Sequence, residues 1–244
     1  MQDTGYVEVP NNQIILCPHC TKAVKYLDKD RNNYLICVDE NCEYIQRLEK
    51  KHNHFDDGTL EMQSLNSSDA LLMNIFCYPE VFKWKGLTDL LEIEPDEIKF
   101  GWQASFPNEK HGRATEIDMK IGSHIFEAKL TEENFTDKEV QVIKGYLNFQ
   151  EVFNPDMLLK RNGKIESYQL IRNFLVAFEE EFSFTLLVDE RRPDLIRKFY
   201  EVREACKDED LRKRTKFVTW QELTSKVGQD LKGYLNRKYF ANDM

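Results

Sequence analysis

The stretch that decides the fold is ATEIDMKIGSHIFEAKL, residues 114–130, in which apolar and polar side chains alternate on both sides of Gly122-Ser123. Such alternation predicts two β-strands. A glycine at the first position of a two-residue turn predicts a type II′ hairpin between them. This turn fixes the register, because residues at equal distances from it then lie opposite each other on the two strands.

Three carboxylates and a lysine share one face of the predicted hairpin. The register places Asp118 opposite Glu127 and Glu116 opposite Lys129. Two carboxylates directly opposite each other repel, so this pair needs an explanation. One explanation is a shared Mg²⁺ or Mn²⁺ ion, held through oxygen ligands, beside which Lys129 orients or activates a water for phosphodiester hydrolysis. The other is a solvent-facing lattice of salt bridges. The apolar context of HIFEAKL predicts a central strand and favours the first.

Composition narrows the class of protein. The chain has 244 residues, of which 41% are hydrophobic, enough for one medium domain with a small appendage. No apolar run is long enough for a transmembrane helix, and the N-terminus MQDTGYVEVPNNQ does not resemble a signal peptide, so we expect a cytoplasmic protein without a membrane partner. A net charge of −9 argues against a nucleic-acid coat protein but not against an enzyme that acts on nucleic acid. The locally basic segment 191–216 is either a solvated helix or a DNA-binding groove.

Two pairs of cysteines near the N-terminus predict a zinc site. Cys17 and Cys20 form a C-x2-C pair, and Cys37 and Cys42 form a C-x4-C pair. Between them, TKAVKYLDKDRNNYLI predicts a β-hairpin, so the pattern is that of a zinc ribbon with a tetrahedral Zn²⁺. Disulfides are the alternative, disfavoured in the cytoplasm. His19 is a possible replacement for Cys20, although the cysteine quartet is complete without it.

The remaining pattern predicts an α/β domain with a mixed central sheet flanked by helices, in addition to the small N-terminal zinc ribbon. We expect a ribbon at residues 1–50, a linker at 51–63 and the main domain at 64–244. The first helix is capped by Ser67 or Ser68 and ends at Pro79. Further helices are predicted at 86–91, 137–153, 164–180, 193–205 and 221–235, and further strands at 98–106, 183–190 and 216–220.

The hairpin residues also carry a family resemblance. Asp118, a short turn and then Glu127-Ala128-Lys129 resemble the core of the PD-(D/E)xK nuclease superfamily, which has the restriction-endonuclease-like fold. The first half-motif departs from the literal pattern, since Ile117 precedes Asp118 where the motif has proline. NSSDALLMNIF, SYQLIRNFLVA and KFVTWQEL resemble segments of bacterial restriction-endonuclease-like proteins, so the resemblance covers about residues 64–232.

This resemblance implies a set of catalytic roles. Asp118 and Glu127 would hold the magnesium ion, the carbonyl of Ala128 would be a third ligand, and Lys129 would position or activate the attacking water.

The resemblance also implies roles for residues outside the hairpin. Gln169 would orient the substrate phosphate or Lys129, and Arg172 would pair with phosphate, although a hydrogen-bonding role in the fold is equally open for both. Many members add an acid from the first helix, for which Asp69 and Glu80 are candidates, while Glu116 can serve from the hairpin.

The sequence therefore predicts a metal-dependent DNA endonuclease with a zinc-ribbon accessory that binds DNA or positions the catalytic domain. A restriction or phage-defence role fits this prediction. RNA remains open as a substrate, as does a homodimer or a partner protein. The alternative function is a zinc-ribbon module that binds nucleic acid or protein, with a catalytically inactive nuclease-like scaffold.

Overall fold

The structure is a computed structural model, which describes residues 8–9, 13–14, 20, 22, 24–29, 32–37, 39, 41–42, 45–48, 64–79, 81–104 and 115–240. The chain divides into two compact units. The first comprises Met1–Gly101 and Glu222–Met244, and the second comprises Trp102–Gln221. None of the helices in these described ranges is long and apolar enough to cross a bilayer.

The elements follow one another in this order. The N-terminal strands are β1 (Glu8–Val9), β2 (Gln13–Ile14), β3 (Val24–Lys29), β4 (Asn32–Cys37) and β5 (Ile45–Leu48). Next come α1 (Ser68–Phe76), a 3-10 turn (Val81–Lys83), α2 (Lys85–Leu91), β6 (Ile98–Ala104), β7 (Thr115–Ile121) and β8 (His124–Lys129). Then follow β9 (Lys138–Glu139), α3 (Val140–Lys144), α4 (Phe149–Val152), β10 (Lys160–Arg161), β11 (Lys164–Ile165) and α5 (Tyr168–Glu179). The chain continues with β12 (Ser183–Val188), α6 (Pro193–Ala205), α7 (Glu209–Lys213), β13 (Thr215–Thr219), α8 (Trp220–Ser225) and α9 (Gln229–Tyr239).

The predicted N-terminal hairpin is confirmed. β3 and β4 pair antiparallel from Val24↔Cys37 to Lys29↔Asn32, and β5 adds a third strand beside β4. The hairpin therefore brings the end of β4, which carries Cys37, back toward the start of β3.

Within the first unit, α1 begins as the sequence predicts. Ser67 is the N-cap, and its side chain accepts a hydrogen bond from the Ala70 N–H at 3.0 Å. The helix packs against α9, where the buried Asn74 amide donates to the Tyr239 hydroxyl at 3.0 Å. This bond joins an early helix to the last one in the chain.

The predicted mixed central sheet is confirmed, and it has five strands in the order β13-β12-β8-β7-β6. β7 and β8 are antiparallel, whereas β8, β12 and β13 run parallel. Every residue of β8 is buried, because the strand lies between two neighbours and is covered on both faces. The predicted central position of this strand is confirmed, and the solvent-facing interpretation of its charges is wrong.

Two predicted helices are shorter and interrupted. The helix predicted at 137–153 is instead β9, α3 and α4, with Gly145 ending α3 because glycine is a poor helix former. The helix predicted at 221–235 is two helices, α8 and α9, with Gly228 as the N-cap of the second. β9, β10 and β11 form a small sheet of order β10-β11-β9, which the sequence analysis did not predict.

Candidate active site

The hairpin register follows the turn over its first three pairs. Gly122 has φ of +53°, in the left-handed region that favours glycine. The paired residues are Ile121↔His124, Lys120↔Ile125 and Met119↔Phe126, as the sequence predicts. Next along β7, the Asp118 side chain accepts the Ala128 N–H at 2.8 Å.

The predicted pairing beyond Met119↔Phe126 needs correction. Among the described residues, the β7–β8 ladder does not extend to Asp118 and Glu127, nor to Glu116 and Lys129. Because Asp118 Oδ2 accepts the N–H of Ala128, this carboxylate is inserted where the two strands would otherwise pair. The acidic residues thus lie at the end of the ladder rather than inside it.

Glu127 and Lys129 form a buried ion pair at the centre of the sheet. Glu127 is 1% exposed and Lys129 is 6% exposed, and Lys129 Nζ lies 2.9 Å from Glu127 Oε1. Burial alone would lower the pKa of Lys129, but attraction to Glu127 and Asp118 outweighs burial and holds that pKa above its ordinary value. Lys129 is therefore an ammonium group that is attracted by the carboxylates of both Glu127 and Asp118.

Helix α5 supplies a residue that the sequence analysis did not assign to the site. Asn173 is fully buried, and its amide nitrogen donates to Glu127 Oε2 at 2.7 Å. The bond fixes one carboxylate oxygen of Glu127, so that the other, Oε1, is turned toward Lys129. The sequence signal was the position of Asn173 on the same helical face as Gln169 and Arg172.

Unsatisfied polar atoms gather at this point. Four buried side-chain nitrogen or oxygen atoms lack a hydrogen-bond partner among the described residues: Glu127 Oε1, Arg172 Nε, Asn173 Oδ1 and Thr224 Oγ1. Two of the four, Glu127 Oε1 and Asn173 Oδ1, belong to side chains that are hydrogen-bonded to each other, and Arg172 directly precedes Asn173 in α5. The close approach of Lys129 Nζ to Oε1 is an ion pair without regular hydrogen-bond geometry. Because buried polar atoms are rarely left unpaired, this cluster has the donors and acceptors of a ligand site.

Two of the other predicted residues, Arg172 and Glu116, are in contact with each other. Arg172 donates from Nη2 to the backbone oxygen of Glu116 at 3.2 Å, and its guanidinium lies 5.5 Å from the centre of the Tyr168 ring. The Glu116 side chain accepts from Gln103 at 3.4 Å. Gln169 is half-buried near the start of α5, and its backbone N–H donates to Phe135.

The two candidates from the first helix are Asp69 and Glu80. Asp69 is a buried residue in the first turn of α1, in the first unit, and Glu80 lies outside the described residues. Among the described residues, no three carboxylates bring their oxygens within the mutual distances of a metal cluster.

The end of β8 is held by buried contacts. The indole N–H of Trp220 donates to the backbone oxygen of Lys129 at 2.9 Å, and Trp220 is fully buried. The Leu130 N–H donates to Glu132 at 2.6 Å. The backbone on both sides of the Lys129 peptide is therefore fixed, which limits where the ammonium group can lie.

Three of the four predicted zinc ligands come together. The sulfur atoms of Cys20, Cys37 and Cys42 all lie within 4.8 Å of one another, and those of Cys20 and Cys37 are 3.3 Å apart. Sulfurs at about 2.3 Å from a tetrahedral zinc ion lie roughly 3.8 Å apart, so the trio fits such an ion. None of the three forms a disulfide within the part of the chain that the structure describes. Cys17 and His19 lie outside the described residues.

A family model described as "Restriction Endonuclease associating with ARP" matches residues 1–240 of the chain. No curated protein and no solved structure matches the chain significantly.

Proposed function

The chain belongs to that restriction-endonuclease family, and from this premise we propose that it is a divalent-metal-dependent endonuclease that hydrolyses DNA. Asp118 and Glu127 would hold Mg²⁺ or Mn²⁺, with the carbonyl of Ala128 as a third oxygen ligand. Lys129 would position the attacking water. DNA is the substrate that a restriction-endonuclease-like family favours.

The observation that carries this proposal is the state of Glu127. Its carboxylate is almost completely buried, one oxygen is fixed by Asn173, and the other accepts no regular hydrogen bond. A charge this deeply buried is costly to desolvate, and Glu127 keeps it with Lys129 Nζ at 2.9 Å from Oε1 and Asn173 Nδ2 at 2.7 Å from Oε2. A hard divalent cation prefers carboxylate oxygens, so the residues present fit such an ion.

When bound, the metal would supply a positive charge that favours hydroxide over water and stabilises charge on the phosphate. The chain's own residues would do the rest. The Lys129 ammonium hydrogen-bonds the attacking water and orients it in line with the scissile bond. The water oxygen bonds to phosphorus and gives up one proton to solvent, while the bond between phosphorus and the 3′ oxygen breaks and that oxygen takes up a proton from solvent, which leaves a 5′-phosphate and a 3′-hydroxyl.

Two further residues from α5 complete the proposal. Arg172 has a buried, unpartnered Nε, which can donate to a phosphate oxygen in a charge-assisted bond. Gln169 would contact the substrate phosphate or Lys129. Asn173 is proposed as a positioning residue that acts through Glu127. Glu116 would contribute through its backbone contact with Arg172 and by adding negative charge beside Asp118.

The test is cleavage of supercoiled plasmid with Mg²⁺, with Mn²⁺ and with EDTA. Glu127→Gln, Asp118→Asn and Lys129→Met should each lower the rate at least ~100-fold, since each removes a metal ligand or the group that orients water. Glu133→Gln is the matched control, because Glu133 is an exposed carboxylate close in sequence. If the three site variants cleave plasmid as fast as the control variant, these three residues do not form the catalytic site.

We further propose that residues 1–50 act as a zinc-binding module, joined by 51–63 to a catalytic region at 64–244, and that the protein works in the cytoplasm. The grouped thiols of Cys20, Cys37 and Cys42 support the zinc module. The family description names an association with ARP, so a protein partner is part of the proposal. Light scattering of the purified chain would show whether it forms a homodimer by itself.

The cysteine cluster also favours a second candidate function, a zinc module that binds nucleic acid or protein on an inactive scaffold. Calorimetric titration with Mn²⁺ separates the two. An enzyme should bind Mn²⁺ at a site that Glu127→Gln weakens, whereas a scaffold should bind zinc alone.

A further inference from the structure

The small sheet presents an exposed basic hairpin. β10 and β11 are joined by Asn162 and Gly163, which have φ of +50° and +77° as a type I′ turn requires. The five residues 160–164 are all exposed, and a side chain added at Gly163 would meet nothing within 4 Å. The segment MLLKRNGKI, residues 157–165, holds three cations and no acid, in a chain of net charge −9. The segment is therefore positively charged, whereas the chain as a whole is negatively charged.

Two of these cations face each other. Arg161 lies directly opposite Lys164 in the ladder, so their side chains share one face with Cβ atoms about 5 Å apart. Like charges in this position destabilise a hairpin, and neither side chain forms an ion pair among the described residues. An anion lying across the pair would remove the repulsion.

The other contacts of the hairpin leave this pair available. Lys160 approaches Asp156 at 3.7 Å, but both are exposed and such a pair contributes little. Ile165, fully buried, anchors β11 to the core. Glu139 lies directly opposite Lys164 on β9 and shares its face, which partly offsets the charge of Lys164, but the two form no ion pair among the described residues, and Arg161 has no acid opposite it. The hairpin is thus fixed at its base and open at its tip.

Two further cations lie beside Tyr168, at the end of the small sheet that adjoins α5. Lys138 of β9 lies opposite Ile165, and its Nζ is 5.7 Å from the centre of the Tyr168 ring. The Arg172 guanidinium lies 5.5 Å from the centre of the same ring. Arg172 directly precedes Asn173, the residue bonded to Glu127. Because side chains alternate along a strand, Lys138 shares the sheet face of Lys160 and Ile165, whereas Arg161 and Lys164 lie on the other face near the exposed turn. The hairpin is thus joined through β9 to the helix that carries Arg172 and Asn173, and its two tip cations lie on the face away from Lys138.

The more basic segment, residues 191–216, is largely engaged within the fold. Arg203 donates to the carbonyl of Arg212, and Arg214 donates to those of Phe182 and Ala177. Arg192 donates to the carbonyl of Glu132 and pairs with Asp194. These arginines stabilise loops and helix ends, so the groove interpretation of this segment is not favoured.

We propose that the β10–β11 hairpin binds the phosphate backbone of the DNA duplex beside the cleavage site, with Arg161 and Lys164 as its phosphate contacts. This inference rests on the proposed function, because it takes DNA as the substrate. The hairpin contacts would add affinity and register without reading the base sequence.

The test measures binding without cleavage. Full-length Glu127→Gln protein is titrated against a fluorescein-labelled DNA duplex at several NaCl concentrations, and binding is followed by anisotropy. The same measurement is made after adding Arg161→Gln with Lys164→Gln. The matched control adds Arg197→Gln with Arg237→Gln, which removes two exposed cations elsewhere and changes the net charge equally. Circular dichroism verifies that each variant is folded.

Two lost phosphate contacts should lower the slope of log affinity against log salt by about 1.8, and account for about 12-fold of the affinity lost between about 50 and 200 mM salt. The control should keep the parent slope. Equal slopes and affinities in the hairpin variant and the parent, or equal losses in the control, would overturn the inference. If DNA binding depends on the hairpin but the wild type does not cleave plasmid, the nuclease proposal is wrong and the hairpin proposal is supported. If the wild type cleaves plasmid but binding does not depend on the hairpin, the hairpin proposal is wrong and the nuclease proposal is supported.

Discussion

Replacing Asn173 tests whether the helix controls the metal ligand or merely fills the core. Asn173 Nδ2 donates to Glu127 Oε2 at 2.7 Å inside a fully buried site. Asn173→Ala removes this donor and leaves a charged oxygen unpaired, which costs about 1–3 kcal/mol of folding free energy. It also frees the Glu127 carboxylate to rotate, so the apparent affinity for Mn²⁺ in the cleavage assay should fall about 10- to 100-fold.

The readout is the metal dependence rather than the activity alone. Cleavage rates are measured over a range of Mn²⁺ concentrations, together with urea unfolding of the same proteins. The rate at saturating Mn²⁺ should recover most of the loss, because the ion itself then orients the carboxylate. Asn173→Asp should differ, because it replaces the donor to Glu127 Oε2 with a second carboxylate that repels it, so the unfolding free energy should fall further than in Asn173→Ala.

Asn74 is a matched control for this experiment. It is a buried asparagine whose amide nitrogen donates to the carbonyl of Ala70 and the hydroxyl of Tyr239, and whose amide oxygen accepts from the hydroxyl of Tyr234. Asn74→Ala should lower the unfolding free energy by a similar amount and leave the Mn²⁺ dependence unchanged. If Asn173→Ala also loses only stability and keeps the wild-type Mn²⁺ curve, then Asn173 does not position Glu127.

Three further predictions follow from buried groups. Burial, with a smaller effect from Lys216, lowers the pKa of His124 to about 3. As the pH falls through about 6.5, His124 therefore takes up a proton in the unfolded chain but not in the folded one, which favours unfolding. Between about pH 7.5 and 5.5 the unfolding free energy of the wild type, measured by urea titration, should fall by about 1.4 kcal/mol more than that of His124→Gln. Equal decreases in the two proteins would contradict this prediction. Cys37→Ser should lower the zinc content of the purified protein, measured by atomic absorption, and an unchanged zinc content would show that the thiol cluster is not the site. Trp220→Phe removes the indole donor from the buried carbonyl of Lys129, so the unfolding free energy should fall by about 1–3 kcal/mol. In the cleavage assay, kcat should fall by a larger factor than KM rises. An unfolding free energy equal to that of the wild type would show that this hydrogen bond does not stabilise the fold.

The sequence by itself determined the local features. Gly122 imposes the turn, and the turn sets the first pairs of the β7–β8 register. Ser67 caps α1, and Pro193 begins α6, because both act within one helical turn. The apolar run of β12 predicted a buried strand, and the alternation in β8 placed Glu127 and Lys129 on one side. Each of these follows from the geometry of a few neighbouring residues.

Only the tertiary structure decided how the site is assembled. Asn173 reaches Glu127 from 46 residues away, and no local pattern specifies that contact. The β7–β8 ladder ends at the pair Met119↔Phe126, and the carboxylate of the next residue, Asp118, accepts a hydrogen bond from the Ala128 N–H. That contact depends on how the chain packs around β8. β9 joins the small sheet by pairing with β11, which lies well beyond it along the chain, and sequence periodicity does not report such a long-range pairing. The sequence thus determined which charged residues share a strand face, and long-range packing determined which of them are bonded and which atoms remain for a ligand.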